Sequence, residues 1–345
     1  MKILSETLPS GKKIVWSEIG NNKVEIYLKK APGKAGKDSK KIVLIRLIEL
    51  DNFFFENLGL WQAEGGKSKG LYFGNTDIEI LLYFLKFVEQ RLGTSRFKFN
   101  VTINAPRITY SEDEIKERWS KMLRIPKENF TAVCIDPRIN EEYAQIYMNG
   151  IVLSMLMNNL QEKLKEMVLS NKEFASSYMR GIFAGESSVI FKKWRTVACV
   201  KVSSADMNAV RFYQKCLNIL SINYGAYQNQ GETFPIYGKR NLQKILDLRL
   251  MDLSPTKKTK LEDGFGNYQR DLMKAEEMEK LILKELTFGL KTYDELSKAL
   301  NKGRSTIQWN YIPNLEKRGL VKKIGKRNRA WLFEITNIGK KFLEG

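Results

Sequence analysis

Residues 51–66 read DNFFFENLGLWQAEGG, and residues 171–188 read NKEFASSYMRGIFAGESS. These two stretches decide the fold. Each opens on a helix-capping side chain, Asp51 or Asn171, and continues through an apolar, helix-like run. Each ends in a glutamate, Glu64 or Glu186, followed by a small residue. Within each run two small residues stand four apart: Gly59 and Ala63, then Gly181 and Gly185. At this spacing they line one helix face, where small side chains let two backbones approach closely. Two such stripes in one chain predict that the helices pack on each other across a pseudo-two-fold axis, with these four residues at the contact.

The sequence around each stretch repeats the same order. LYFGNTD and then IEILLYFLKFVEQRLG follow the first; VACVKVSSAD and then MNAVRFYQKCLNIL follow the second. Both are strand-like sequence leading to an amphipathic helix, with Asp77 and Asp206 as N-caps. FKFNVTIN (97–104) alternates, with Phe97, Phe99, Val101 and Ile103 on one face and Lys98, Asn100, Thr102 and Asn104 on the other. That pattern predicts a strand with one buried and one wet face. The expected class is α+β, an internal duplication in which each half runs helix, strands, helix, strands, helix. The first half is placed at 45–168 and the second at 169–260. Residues 1–44 read as a β-rich extension, with two strands around Gly20-Asn21-Asn22 and a Gly/Lys-rich connector at 31–41. The periodicity breaks over 254–271, which sets a linker at 261–275 and a last module at 276–345.

Composition narrows the chemistry. The chain has 345 residues and no histidine, which excludes Ser-His-Asp and Cys-His nucleophile systems and His-containing metal fingers. Its three cysteines lack C-x₂-C spacing, so neither a structural zinc nor a disulfide framework is expected. Lys plus Arg number 58 against 39 Asp plus Glu, a formal net charge of +19, which points to a polyanionic partner and first to nucleic acid. Residues 291–345 concentrate it, with 13 basic and 5 acidic side chains. Simple solubility is the bland alternative. No apolar run is long enough to span a membrane and no signal-peptide pattern is present, so a cytoplasmic location is expected.

Glu64 and Glu186 would each stand at a helix C-terminus, the negative end of the dipole, at a cost of about 0.3–1 kcal/mol apiece. Two together repel further, and a divalent cation would offset both. Mg²⁺ suits such a pair, since it takes carboxylate, phosphate and water oxygens. The alternative is that each Glu simply marks a helix end and each Gly serves packing.

NLGLWQAEG (57–65) and MRGIFAGES (179–187) resemble two copies of the LAGLIDADG motif, and the resemblance covers roughly residues 45–260. It implies a monomer of two αββαββα halves with the motif helices at the centre and two saddle-shaped sheets along the DNA major groove. It implies homing-endonuclease chemistry, with Glu64 and Glu186 as metal-binding catalytic residues for Mg²⁺ or another divalent cation. It also implies a lysine after the last strand of a half, which PTKKTK supplies as Lys257, with Lys258 as its competitor. Three departures stand out. Ser187 replaces the usual Gly, Arg180 sits near the packing face, and Gln62 and Ala184 occupy the earlier acidic position. The first half offers no basic partner beyond Lys163 or Lys165.

Amides and lysines on such sheets can read base edges. The candidates are Lys98, Asn100, Thr102 and Asn104 in the first half. In the second they are Arg195, Lys201 and a hairpin tip at Tyr227, Gln228, Asn229 and Gln230. Residues 276–345 follow a helix–helix–helix–hairpin order, with Thr292 and Glu295 as a capping box. They resemble winged helix-turn-helix DNA-binding domains. The resemblance places Arg304, Ser305, Thr306, Gln308 and Asn310 on the groove-facing helix, and Lys322, Lys323, Lys326, Arg327 and Arg329 on the wing against phosphates. Pro313 would shorten or bend that helix. Double-stranded DNA is the expected partner, with RNA a weaker alternative. Two functions stay open: a Mg²⁺-dependent, site-specific DNA endonuclease, or a non-catalytic DNA-binding transcription regulator on the same fold.

Overall fold

The computed structural model describes residues 12–33, 37–66, 70–106, 110–192, 196–267, 275–300 and 302–344, in two compact units that divide after residue 268. An antiparallel sheet comes first, with β1 (Lys13–Gly20), β2 (Lys23–Lys29) and β3 (Ile42–Ile45) in that order. Gly20, Asn21 and Asn22 make its first turn at φ 83°, 51° and 57°, the left-handed region that Gly and Asn tolerate best. Ile14, Val24, Ile26, Leu28 and Leu44 bury one face of this sheet in the core of the first unit.

Asp51 then caps α1 (Asn52–Glu64), its carboxylate accepting from the Phe54 N–H at 2.8 Å. There follow β4 (Gly65–Gly66), β5 (Gly70–Asn75), α2 (Ile78–Phe87), β6 (Asn100–Ala105), α3 (Glu112–Leu123), β7 (Phe130–Ile135), β8 (Tyr143–Asn149), α4 (Ile151–Lys163) and α5 (Lys165–Ser170). The sheet order is β4-β5-β8-β6-β7, antiparallel except for β6 and β7, which run parallel. The first half therefore departs from αββαββα: α3 and β7 form an additional crossover inserted before β8, as a parallel pair requires. Ser111 starts α3 with a capping box, its N–H donating to Glu114 at 2.7 Å while its hydroxyl accepts from the Glu114 N–H at 3.2 Å.

The strand expected over 97–104 begins only at Asn100. The Ser95 hydroxyl accepts from the Phe97 N–H, and Arg96 is held to Glu89 at 2.6 Å, which winds residues 96–98 into a 3₁₀ turn. Lys98 thus stands on that turn and not on the strand, and Phe97 is 63% exposed.

The second half holds α6 (Lys172–Glu186), β9 (Ser187–Phe191), β10 (Val197–Ser203), α7 (Met207–Ile219), β11 (Thr233–Tyr237), α8 (Lys239–Asp247) and α9 (Pro255–Gly266), with sheet order β11-β10-β9. One full strand follows α7 where two were expected. Residues 222–228 reach β11 through a single bridge, Gln228 with Thr233, and through the Gly225 N–H on the Pro235 carbonyl at 2.7 Å. Pro235 has no N–H to return on that side, so the ladder stops. Helix α9 also corrects the expected break at 254–271 and the linker start at 261. Pro255 opens its first turn, where a proline is tolerated, and Gly264 lies against Phe191 and Val197 with no room for a Cβ.

Helices α1 and α6 cross at the centre of this unit. A Cβ on Gly59 would strike the Tyr178 carbonyl, and one on Gly181 would strike the Glu56 carbonyl and lie 2.5 Å from the Leu60 nitrogen. A Cβ on Gly185 would lie 2.6 Å from that of Ala63. The four small residues are therefore the contact. Arg180, near the same face, bridges the helices. Its guanidinium pairs with Glu56, and its Nε donates to the Arg249 carbonyl at 3.0 Å. Tyr83 donates its hydroxyl to the other Glu56 oxygen.

The second unit comprises α10 (Ala275–Thr287), β12 (Lys291–Thr292), α11 (Tyr293–Ala299), α12 (Arg304–Thr306), a π-helical stretch Ile307–Tyr311, α13 (Ile312–Lys317), β13 (Val321–Arg327), β14 (Ala330–Ile335) and α14 (Asn337–Glu344). Its own core gathers Ile282, Leu283, Leu296, Ile307, Ile312, Leu315 and Phe333. Pro313 falls in the first turn of α13, where its missing N–H costs least, and the π stretch takes up the change of register. Among the described residues no helix is long and apolar enough to cross a membrane.

Gly181→Ala, by forcing the helix backbones apart, is expected to lower the unfolding free energy by about 2–3 kcal/mol in urea. Gly266→Ala, with nothing within 4 Å of its Cβ, is expected to change it by less than about 1 kcal/mol. Arg180→Met leaves Glu56 buried and without its cation, and a loss of about 3–5 kcal/mol is expected in the same measurement.

Candidate active site at the paired helix ends

Each central helix runs directly into a strand. α1 ends at Glu64 and β4 begins at Gly65; α6 ends at Glu186 and β9 begins at Ser187. Gly65 is required because a Cβ there would meet the Trp61 carbonyl and indole ring. Ser187 does the corresponding work differently: buried, it donates its hydroxyl to the Phe183 carbonyl at 2.5 Å and closes the helix.

The close crossing sets Glu64 over the end of the other helix, since a Cβ on Gly185 would lie 3.0 Å from its Oε1. Asn75, at the end of β5, donates its amide to the same oxygen at 3.1 Å. Burial pushes the Glu64 carboxyl above its ordinary range, and the charge of Lys257 pulls it partly back. Lys257, in the first turn of α9, points its ammonium at the C-terminal carbonyls of α6: Ala184 at 2.5 Å, Gly185 at 3.0 Å and Phe183 at 3.3 Å. Burial lowers its pKa to about 8 against the opposing pull of Glu64, then Glu186, then Asp77. Lys258, the alternative from the sequence, turns away to Asp252 at 3.1 Å.

Glu186 acts electrostatically on Lys257 and on the Tyr213 hydroxyl, which burial already holds well above its ordinary range. Gln62 stands at the earlier acidic position, and the buried Tyr213 hydroxyl makes no hydrogen bond among the described residues. Glu64, Asn75, Asp77, Tyr143, Lys257 and Lys260 are among the residues lining a cleft of about 880 Å³. Neither Lys163 nor Lys165 lines it, and Lys165 is held by Glu162 at 2.7 Å. Asn75, Tyr143 and Tyr213 were missed in the sequence. Their only local signals are an Asn at a strand end and tyrosines in amphipathic elements, which core packing would equally explain.

Among the described residues no group of three or more Asp, Glu or Cys side chains is placed to hold a metal. Two carboxylates are nevertheless enough for a hard cation such as Mg²⁺ when substrate phosphates and water complete its shell. Glu64 and Glu186 supply oxygens of the kind such an ion takes, with Glu64 lining the cleft and Glu186 outside its lining. Lys257 also supplies a cation at the α6 dipole end, so the glutamates do not depend on a metal for electrostatic balance.

Of the base-reading candidates, Asn100, Thr102 and Asn104 share one outer face of β6, opposite Tyr147, Gln145 and Tyr143 of β8. Lys201 stands on the outer face of β10 between Ser188 and Pro235. Gln228, Asn229 and Gln230 are exposed at a hairpin tip, while Arg195 lies outside the described residues. In the second unit Arg304, Ser305 and Asn310 are exposed, and Thr306 and Gln308 are half-buried. Trp309, 70% exposed beside them, was not singled out in the sequence. Three hairpin cations carry acidic partners: Lys322 with Glu334 at 2.9 Å, Lys323 with Glu316 at 3.2 Å, and Arg327 with Glu295. Lys326 lies over the Trp331 ring at 4.5 Å, and Arg329 sits in the turn at φ 67°.

The Lys257 environment gives a pH signature. Its folded pKa of about 8 lies below the ordinary 10.5, so the unfolded chain binds the extra proton between those values and stability rises with pH there. Lys257→Met is expected to flatten that rise in denaturation curves measured from pH 7.5 to 10.5.

No family model matches this chain, and no curated protein does. Solved structures similar to it include the N-terminal LAGLIDADG domain of DUF199/WhiA, at 11% identity and TM-score 0.35, over 59% of this chain and 84% of that one. Full-length DUF199/WhiA from Thermatoga maritima aligns at 11% identity and TM-score 0.37, over 74% and 87%. I-DmoI G20S, in complex with its target DNA in the presence of Mg, aligns at 10% identity and TM-score 0.32, over 58% and 96%. Likeness at this level assigns the chain to no family.

Proposed function

We propose that this chain is a sequence-specific double-stranded DNA endonuclease of homing type, built on two LAGLIDADG-like halves and carrying a winged helix-turn-helix as a second DNA-binding unit. The observation that carries the reading is Lys257, buried on the end carbonyls of α6 and within the field of both Glu64 and Glu186, at the ends of two helices held together by Gly59 and Gly181. In a chain of net charge +19, two carboxylates at such a seam form a place where DNA phosphates and a hard cation would meet.

In this reading Glu64 and Glu186 would hold Mg²⁺. The ion, when bound, would polarise a phosphate oxygen and acidify water. Asn75 orients the Glu64 carboxylate through its amide. Lys257, anchored on the α6 carbonyls, places positive charge where a phosphorane would develop negative charge. The outer sheet faces would read the grooves, and Arg304, Ser305 and Asn310 of the second unit would enter a further groove while Lys326 and Arg329 fix phosphates.

One observation favours a non-catalytic DNA-binding regulator instead. Lys257 already sets a positive charge at the end of α6, in the field of both carboxylates, so they can serve structure alone. Selection on a randomised duplex library with Mg²⁺, followed by sequencing of retained fragments and new ends, separates the two. Cut ends at one consensus, lost in both Glu64→Gln and Glu186→Gln while binding persists, are expected for the endonuclease. A bound consensus without cut ends would establish the regulator. Lys326→Ala is expected to weaken binding uniformly across sequences and to reduce the log–log salt slope by about 1.

A further inference from the structure

Charged side chains make up 28% of this chain, yet none of the residues in the five strands β4, β5, β6, β7 and β8 is charged. The inner face of that sheet is apolar core, with Phe73, Val101, Ile103 and Ile146 fully buried, so neutrality there is ordinary. The outer face is different. Tyr72, Asn100, Thr102, Asn104, Gln145 and Tyr147 lie side by side in register, half-exposed and without a carboxylate or cation among them. The rings of Tyr72 and Tyr147 stack at 5.4 Å and 7°, and the Tyr147 hydroxyl is hydrogen-bonded to Thr131 at 3.1 Å. Both rings are thereby fixed as apolar walls, each with one face already covered.

In a DNA major groove the base pairs differ in the side chains they demand. Guanine is taken by Arg or Lys and the cytosine amino group by Asp or Glu, whereas adenine is taken bidentately by Asn or Gln and the thymine methyl by apolar surface. The outer face of this sheet offers four amides, Asn100, Asn104, Gln145 and Asn149, with a threonine methyl and tyrosine ring edges. Among the described strand residues it offers none of the charged groups that select G·C. We infer that this face reads an A·T-rich stretch of duplex, with Asn100, Asn104 and Gln145 on adenines and Tyr72, Tyr147 and Thr102 against thymine methyls. The inference rests on the DNA-binding reading above and adds the composition of one half of the target.

The test is selection of the full-length protein on a duplex library with a randomised window, in EDTA so that nothing is cut. The expected result is a consensus with one A·T-rich half. That half alone should change in Asn100→Arg, and independently in Gln145→Arg on the neighbouring strand, each gaining a preference for G at one position by about tenfold. A consensus with G·C pairs in the responding half, or one that ignores both variants, would overturn the inference and leave DNA binding standing. Retention of no duplex would overturn the DNA reading along with it. Preference for a single-stranded RNA pool in the same assay would also overturn it, by showing the tyrosines to be a stacking platform.

Discussion

The backbone contact between α1 and α6 is the constraint on which the rest of the first unit depends. Gly59 and Gly181 meet the carbonyls of the opposite helix with no space for a single methyl group, so the helix separation is fixed by main chain and not by adjustable side chains. Everything at the helix ends inherits that fixity. Glu64 is carried onto Gly185, Glu186 comes within the field of Lys257, and the two following strands leave the seam to begin their separate sheets. The Glu56–Arg180 pair adds polarity to a contact that glycine alone would leave symmetric, because its two members lie on different helices.

The candidate site balances opposed electrostatic demands. Burial works against both charged forms, raising the Glu64 carboxyl and lowering Lys257, while their mutual attraction works the other way. The ammonium also satisfies the Ala184 and Gly185 carbonyls, which α6 could not satisfy internally. From the sequence, two glutamates at dipole-unfavourable ends pointed to a metal. The fold supplies a lysine at the same place, which weakens that inference without removing the fit to a hard cation.

The halves are less alike than the repeated pattern suggested. In the first, α3 and β7 widen the sheet; in the second, Pro235 interrupts the ladder and leaves a bridge where a strand was expected. The wider sheet had a legible source, since Ser111-Glu112-Asp113-Glu114 is a helix-start signature. The narrower one did too, because proline cannot donate to a second neighbour. Lys98 was misplaced for a local reason. Alternation ran through residues 97–104, but Ser95 and the Arg96–Glu89 pair bind the first three into a turn.

By itself the sequence determined the helix pair, its small-residue contact and the capping residues, because these depend on spacing along one helix and on side-chain chemistry within a turn or two. It also brought out the two terminal glutamates, which share a position relative to those helices, whereas the candidate lysine came from the family resemblance. Tertiary structure alone decided that Lys257 and not Lys258 enters the site, that Asn75 holds Glu64, and that Arg180 is a cross-helix ion pair. It alone gathered the neutral outer face of five strands. Each of these is a meeting of residues distant in the chain, and no periodicity or local propensity encodes which side chain will fill a space that another element creates.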